Sequence, residues 1–188
     1  AWDVVNEAMR DNPDNPTDWR NALRHGDLPI ERPAAWYQAY SNGGNGWDYV
    51  YDAFCFARKY APNAKLFYND FNDEELPNKA IAIVSMVNEL NARYAAEHPE
   101  DPRMLIEGIG IQSHYSTRLN LDNLEHNLQL YASTGCEIHI TELDVQYNGG
   151  GERVGSGWFS SYKLNEEQEK EQAEFYARLF MLYKKYAA

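Results

Sequence analysis

Apolar positions along the chain fall into two alternating patterns. Short runs dense in β-branched residues are followed by longer stretches with apolar side chains every third or fourth position. Residues 2–6 form the first strand-like run. A polar segment rich in Asn, Asp, Pro and Gly follows from about 10 to 46, with a short helix expected near 34–40. Trp47, Val50, Tyr51, Phe54, Ala57 and Arg58 recur at helical spacing up to Ala61-Pro62. Lys65 to Asn69 reads as a second strand. A helix follows Pro77, with Ile81, Val84, Val87, Leu90 and Tyr94 on one face, and stops by His98-Pro99. Leu105 to Ser113 reads as a third strand, in which Gly108 and Gly110 leave room for a close approach. Asp122 with Glu125 gives a capping-box signature ahead of Leu124, Leu128 and Tyr131, and Gly135 suits the position after the helix end. Glu137 to Leu143 is the fourth strand. Gly149-Gly150-Gly151 and Gly155-Ser156-Gly157 mark a flexible loop. Asn165 with Gln168 caps a last helix whose apolar face runs through Tyr176, Leu179, Phe180 and Tyr183.

The order is βαβαβαβα, and the crossovers are long enough for parallel pairing. This predicts an α/β fold with a parallel sheet, open or closed as a barrel; spacing alone does not choose between the two. A chain of 188 residues has room for one domain with a sizeable core, and no internal repeat or second domain is visible. The net charge of −12 argues against a nucleic-acid partner, and neither a basic amphipathic helix nor a long apolar run points to a membrane. Cys55 and Cys136 read as small buried hydrophobes rather than a disulfide. No metal or cofactor is expected: the acidic stretch from Asp11 to Asp18 lacks the spacing of a calcium loop and reads as solvated. The 5 Trp, 14 Tyr and 7 Phe serve core packing, and also suit flat platforms for sugar rings. The abrupt opening on a strand-like run, without a signal peptide, predicts that a part was removed or lies elsewhere.

The chemistry gathers at four strand ends: Asn6-Glu7, Tyr68-Asn69-Asp70-Phe71-Asn72, Gln112-Ser113-His114-Tyr115 and Thr141-Glu142-Leu143-Asp144. Parallel strands share a carboxyl edge, where ligands bind in α/β folds, so these ends would share one rim. Two carboxylates at such a rim, Glu7 and Glu142, are what glycoside hydrolysis requires. Glu142 and Asp144 stand two apart in the fourth strand and so face one side. His114 on the neighbouring strand is placed to bridge them and hold Glu142 ionised, as a nucleophile needs. Glu7 needs the opposite tuning, a proton retained near neutral pH through the charge of Glu142 and partial burial. The ordinary alternative for Glu7 is a salt bridge to an arginine. Asn6 offers an amide to a sugar 2-hydroxyl. His139 should face away from this rim, under a helix, and His25, His98 and His126 read as surface or loop residues.

Trp2-Asp3-Val4-Val5-Asn6-Glu7-Ala8, Tyr68 to Asn72, Gly108 to His114 and Ile140 to Asp144 together resemble glycoside hydrolase family 10. These are endo-β-1,4-xylanases built on a (β/α)8 barrel. The order of the motifs resembles strands four to seven. The resemblance implies a single incomplete catalytic domain over 1–188, running from the fourth strand to the seventh helix, with strands 1–3 and 8 absent. It implies that Glu7 is the acid/base and Glu142 the nucleophile of a retaining mechanism. Asn6, Gln112 and His114 match residues that contact the sugar or orient the nucleophile, with Asp144 in support. Asn69 and Phe71 match cleft positions, the family usually having tyrosine where Phe71 stands. The implied ligand is xylan or a xylo-oligosaccharide, the implied location extracellular, and the missing strands or a second copy are needed as partners.

Two other readings compete. One is a retaining β-glucanase or mannanase, since related barrels place an Asn-Glu pair and a second Glu at the same strand ends. The other is a catalytically silent carbohydrate-binding fragment.

Overall fold

A computed structural model of the chain describes residues 1–26, 34–72, 75–147, 152–154 and 161–187. Its centre is a four-stranded sheet in the order β1 (Trp2–Asn6), β2 (Leu66–Asp70), β3 (Gly108–Ile111) and β5 (Glu137–Ile140). Every pairing in it is parallel. Between these strands run α1 (Trp19–Ala22), α2 (Ala35–Ser41), α3 (Asp48–Tyr60), α4 (Pro77–Glu97) and α5 (Leu121–Ala132), and α6 (Glu166–Lys184) ends the chain. Successive strands lie side by side with a helical connection between each pair, as in an arc of a (β/α)8 barrel.

The two faces of the sheet differ. Leu66, Tyr68, Ile109 and Ile111 join the main core with Phe54, Ile83, Met86, Val87 and Leu124 from the helices. On the other face the Phe67 ring lies tilted against His139 at 4.2 Å between ring centroids. A Cβ added to Gly108 would meet the Phe67 ring at 2.0 Å, and one added to Gly110 would meet Asn69 Oδ1 at 2.4 Å. The glycines therefore give the room expected of them, and the occupants are the side chains of the neighbouring strand. His139 stands on this face, exposed and 3.6 Å from Glu137, not beneath a helix. The period-two alternation that sets it opposite Ile138 and Ile140 explains the difference.

Several expected boundaries shift. The third strand is confined to Gly108–Ile111, and the fourth ends at Ile140. Beyond them β4 (His114–Ser116) and β6 (Asp144–Gln146) form a separate parallel pair. Asn120, rather than Asp122, caps α5, accepting from the Asp122 and Asn123 amides. Gly135 takes a left-handed φ of 77° after that helix. The Asn165–Gln168 capping box at α6 is formed, but α6 buries Phe175, Leu179 and Leu182 and leaves Phe180 exposed. Both glycine clusters of the expected loop lie outside the described residues, and the segments β7 (Glu152–Val154) and β8 (Ser161–Lys163) beside them pair antiparallel. Both cysteines are free.

At the amino end of the strands, Arg58 is 5% exposed. It donates to the Ala64, Met104 and Leu105 carbonyls and to the Glu107 carboxylate at 2.7 Å. A charge so paired ties α3 to the entries of β2 and β3, leaving the opposite edge open for chemistry.

Candidate active site

The ladder extends one rung past the strands and carries the polar ends with it. Glu7 N–H donates to the Asn69 carbonyl at 2.9 Å, and Gln112 N–H to Asp70 at 2.9 Å. Glu142 N–H donates to Gln112 at 3.1 Å and Asp144 N–H to Ser113 at 3.2 Å. Glu7, Asn72 and Ser113 adopt positive φ of 56°, 58° and 66°. Left-handed backbone disfavours any residue with a Cβ and persists where surrounding structure enforces it. Here it breaks the strand alternation at the ends of β1, β2 and β3 and re-aims the side chains there.

The amides knit the rim together. Asn69, 3% exposed, donates through Nδ2 to Asn6 Oδ1 at 2.9 Å and reaches Glu142 Oε1 at 3.5 Å. Its Oδ1 accepts from Thr141 Oγ1 at 2.9 Å. Gln112 Nε2 donates to Glu7 Oε1 at 2.8 Å and to Asn6 Oδ1 at 3.3 Å, and Asn6 Nδ2 donates to the same Glu7 oxygen at 3.2 Å. Glu7, Asn6, Asn69, Gln112 and Glu142 thus form one connected cluster. The second oxygen of Glu7 lies 3.9 Å from Arg24 Nη1, so the arginine contact coexists with the rim placement. Phe71 lies behind that arginine, its ring 5.1 Å from the Arg24 guanidinium and 4.3 Å from Lys79 Nζ.

His114 bridges Glu142 and Asp144 as expected, by another route. Nδ1 is 2.7 Å from Asp144 Oδ2 and Nε2 is 3.4 Å from Glu142 Oε2. The two carboxylates do not share one strand, because β5 stops at Ile140. Instead the β4–β6 pairing sets Asp144 beside His114. The hydrogen bond that His114 donates to Asp144 raises the His114 pKa above its ordinary value. Partial desolvation opposes it, and the charges of Asp144 and Glu142 add to it. A raised folded-state pKa makes this contribution to stability fully present below the unfolded pKa and lost as pH rises through the folded value. A ring-proton NMR titration should therefore place the His114 midpoint above that of an unperturbed histidine, and Asp144→Asn should lower it. A midpoint unmoved by that substitution would contradict the bond.

Arg24, Thr141, Tyr68, Asp70 and Lys79 were given no role by sequence reasoning. Lys79 carried a signal: it stands on the buried stripe of α4 with Ile83, Met86 and Leu90. Its Nζ is 2.9 Å from both Asp70 and Asp11, so part of the acidic stretch read as solvated is paired. Among the described residues no group of three or more His, Cys, Asp or Glu is placed to hold a metal ion. No helix among them is long and apolar enough to cross a membrane. The rim therefore offers two carboxylates, one held by amides and one by an imidazole, facing open space.

Known proteins share the chain's sequence and fold. The family model described as glycosyl hydrolase family 10 matches residues 1–188. The chain is 36% identical over 189 residues to endo-1,4-beta-xylanase A of Thermotoga neapolitana, covering 100% of this chain and 14% of that one. It superposes on the intracellular xylanase of Thermoanaerobacterium saccharolyticum with a TM-score of 0.70 at 32% identity, covering 98% of this chain and 44% of the other. On xylanase 10B of Thermotoga petrophila, solved with xylobiose, the TM-score is 0.66 at 29% identity, covering 96% and 43%. The chain spans less than half the length of each of these relatives. Their likeness makes the four-stranded arc part of a (β/α)8 barrel. With a model match along its whole length and the polar strand ends gathered on one rim, the chain belongs to glycosyl hydrolase family 10.

Proposed function

We propose that the chain supplies the catalytic half of a retaining endo-β-1,4-xylanase, from the barrel's fourth strand to its seventh helix. The observation that carries the reading is the connected rim, in which Asn69 and Gln112 tie Glu7 to Glu142 while His114 and Asp144 stand behind Glu142. In the retaining geometry the two carboxylates stand about 5–5.5 Å apart. Glu142 attacks the anomeric carbon as Glu7 gives its proton to the departing glycosidic oxygen. This leaves a sugar ester on Glu142 and a free hydroxyl on the leaving sugar. Glu7, now a carboxylate, takes a proton from water. The water oxygen displaces Glu142, so the sum is addition of water across one glycosidic bond. Asn6, with its amide at the rim, suits the sugar 2-hydroxyl, and Asn69 and Gln112 line the floor.

Relatives described with xylobiose, xylotriose and xylotetraose support xylo-oligosaccharides as ligands. Extracellular xylan is the polymer substrate of this reading, because a polymer does not cross a membrane. The neighbour described as intracellular supports short oligomers as a second form. The outer strands of the arc, β1 and β5, each border an apolar groove, over Val4, Ala53 and Phe56 on one side and Ile138, Ile140 and Leu128 on the other. The remaining barrel strands, or a second copy, would cover these edges. Reducing-sugar release from xylan, glucan and mannan, measured on this chain and with the barrel complete, tests the reading. Release from xylan once the barrel is closed is expected. Preference for glucan or mannan would favour the other glycanases, and no release from any would favour a silent binding unit.

A further inference from the structure

Glu7 holds a backbone conformation that glutamate does not choose by itself, with φ 56°. The structure assigns the enforcement of that conformation to Tyr68: we propose that Tyr68 is a positioning residue for the Glu7 carboxyl group, acting from the face of the sheet that substrate never touches. The inference rests on the acid/base reading of Glu7.

The peptide before Glu7 is fixed by the ladder, its N–H donating to the Asn69 carbonyl. The two peptides after it enter the core, Ala8 and Met9 being 1% and 0% exposed. Their N–H groups have no ladder partner, and both donate to the phenol oxygen of Tyr68 at 3.1 Å. Met9 N–H also reaches Asp70 Oδ2 at 3.3 Å. One oxygen atom therefore collects two successive amides of the turn that carries Glu7. The phenol proton goes to Asp70, a fully buried carboxylate. The other oxygen of Asp70 accepts from Phe71 N–H at 2.9 Å and lies 2.9 Å from Lys79 Nζ. Lys79 donates in turn to the Phe71 carbonyl at 2.7 Å. With its proton committed to Asp70, Tyr68 presents its lone pairs to the turn. Loss of that oxygen leaves the buried Ala8 N–H without a partner and Met9 N–H with only its longer contact to Asp70, and the turn relaxes toward water or ordinary backbone angles. Either movement swings the Glu7 Cα–Cβ bond away from the glycosidic oxygen. Proton transfer demands hydrogen-bond reach, so the acid step suffers first.

A purely structural tether and a positioning residue differ in what they do to leaving groups. The test compares kcat/KM of the parent and Tyr68→Phe, with the barrel complete, on aryl β-xylobiosides graded by the acidity of the phenol. Tyr94→Phe serves as the control, since Tyr94 also gives up a phenol–carboxylate bond, to Asp101 at 3.0 Å, away from the rim. Tyr68→Phe should leave the most acidic phenols within about threefold of the parent and slow the least acidic by about 10²-fold, the low end of what a general acid supplies. Tyr94→Phe should change the whole series equally or not at all. Equal losses across the series for Tyr68→Phe, or none, would overturn the proposal. If Tyr68→Phe melts below the assay temperature, Asp70→Asn, which keeps the phenol but weakens its orientation, is read on the same series with the same expectations. If the parent cleaves no aryl xylobioside, the acid/base reading itself falls and takes this proposal with it.

Discussion

Glu142→Ala, with the barrel complete, should lose at least about 10⁴-fold in xylan hydrolysis, as expected when the nucleophile of a covalent mechanism is removed. Glu142 is half exposed, with His114 Nε2 3.4 Å from one oxygen and Asn69 3.5 Å from the other. Truncation leaves a gap on the face of the sugar opposite the leaving group, with the His114 imidazole beside it. A small anion fits such a gap. Azide should restore release of an activated aryl group and yield the glycosyl azide of inverted configuration, because it attacks directly from the nucleophile's side. Xylan itself should not be rescued to the same extent, since its leaving group still depends fully on Glu7. Azide products of retained configuration from this variant would reverse the two roles.

Glu7→Ala should have a different signature and a smaller loss. General acid catalysis supplies about 10²–10⁴-fold, so xylan hydrolysis should fall by that factor while activated aryl xylosides still form the glycosyl-enzyme. That intermediate should accumulate, because no base remains to activate water. Azide, which needs no base, should discharge it with retained configuration. The rim contacts make the division of labour specific to position. Gln112 and Asn6 hold one oxygen of Glu7, and Arg24 stands 3.9 Å from the other. Truncation thus removes the proton carrier without touching the imidazole behind Glu142. If neither substitution lowered turnover, the chemistry would lie elsewhere on the chain.

Much of this was legible in the residues. Four short β-branched runs separated by amphipathic stretches gave the parallel order, and a shared carboxyl edge put Asn6, Glu7, Asn69, Gln112 and Glu142 on one rim before any coordinates. Gly108 and Gly110 announced a close approach. What stayed hidden has physical reasons. The pairing of His114 with Asp144 depends on β4 and β6, strands of three residues each, too short to leave a periodic pattern. The expected link through a single strand reached the right contact by the wrong path. Left-handed backbone at Glu7, Asn72 and Ser113 leaves no compositional trace, since none is glycine. Arg24 comes from the long polar segment after β1, where spacing says nothing about what folds back. His139 went to the wrong face because the strand was counted through Leu143, past its end at Ile140. Lys79 was the missed signal that the sequence did contain, a lysine on an apolar stripe that had to find carboxylate partners.

The central claim is that Glu142 forms the covalent bond to sugar and Glu7 does not. The most direct measurement is to incubate the protein, barrel complete, with a xylobioside bearing a 2-fluoro substituent and an activated leaving group. The fluorine slows hydrolysis of the ester more than the leaving group lets it form, so the intermediate persists. Intact-mass analysis should then show one added 2-fluoro-xylobiosyl unit, and peptide mapping should find it on Glu142. An adduct on Glu7 or any other residue, or an active protein that never acquires the added mass, would contradict the account.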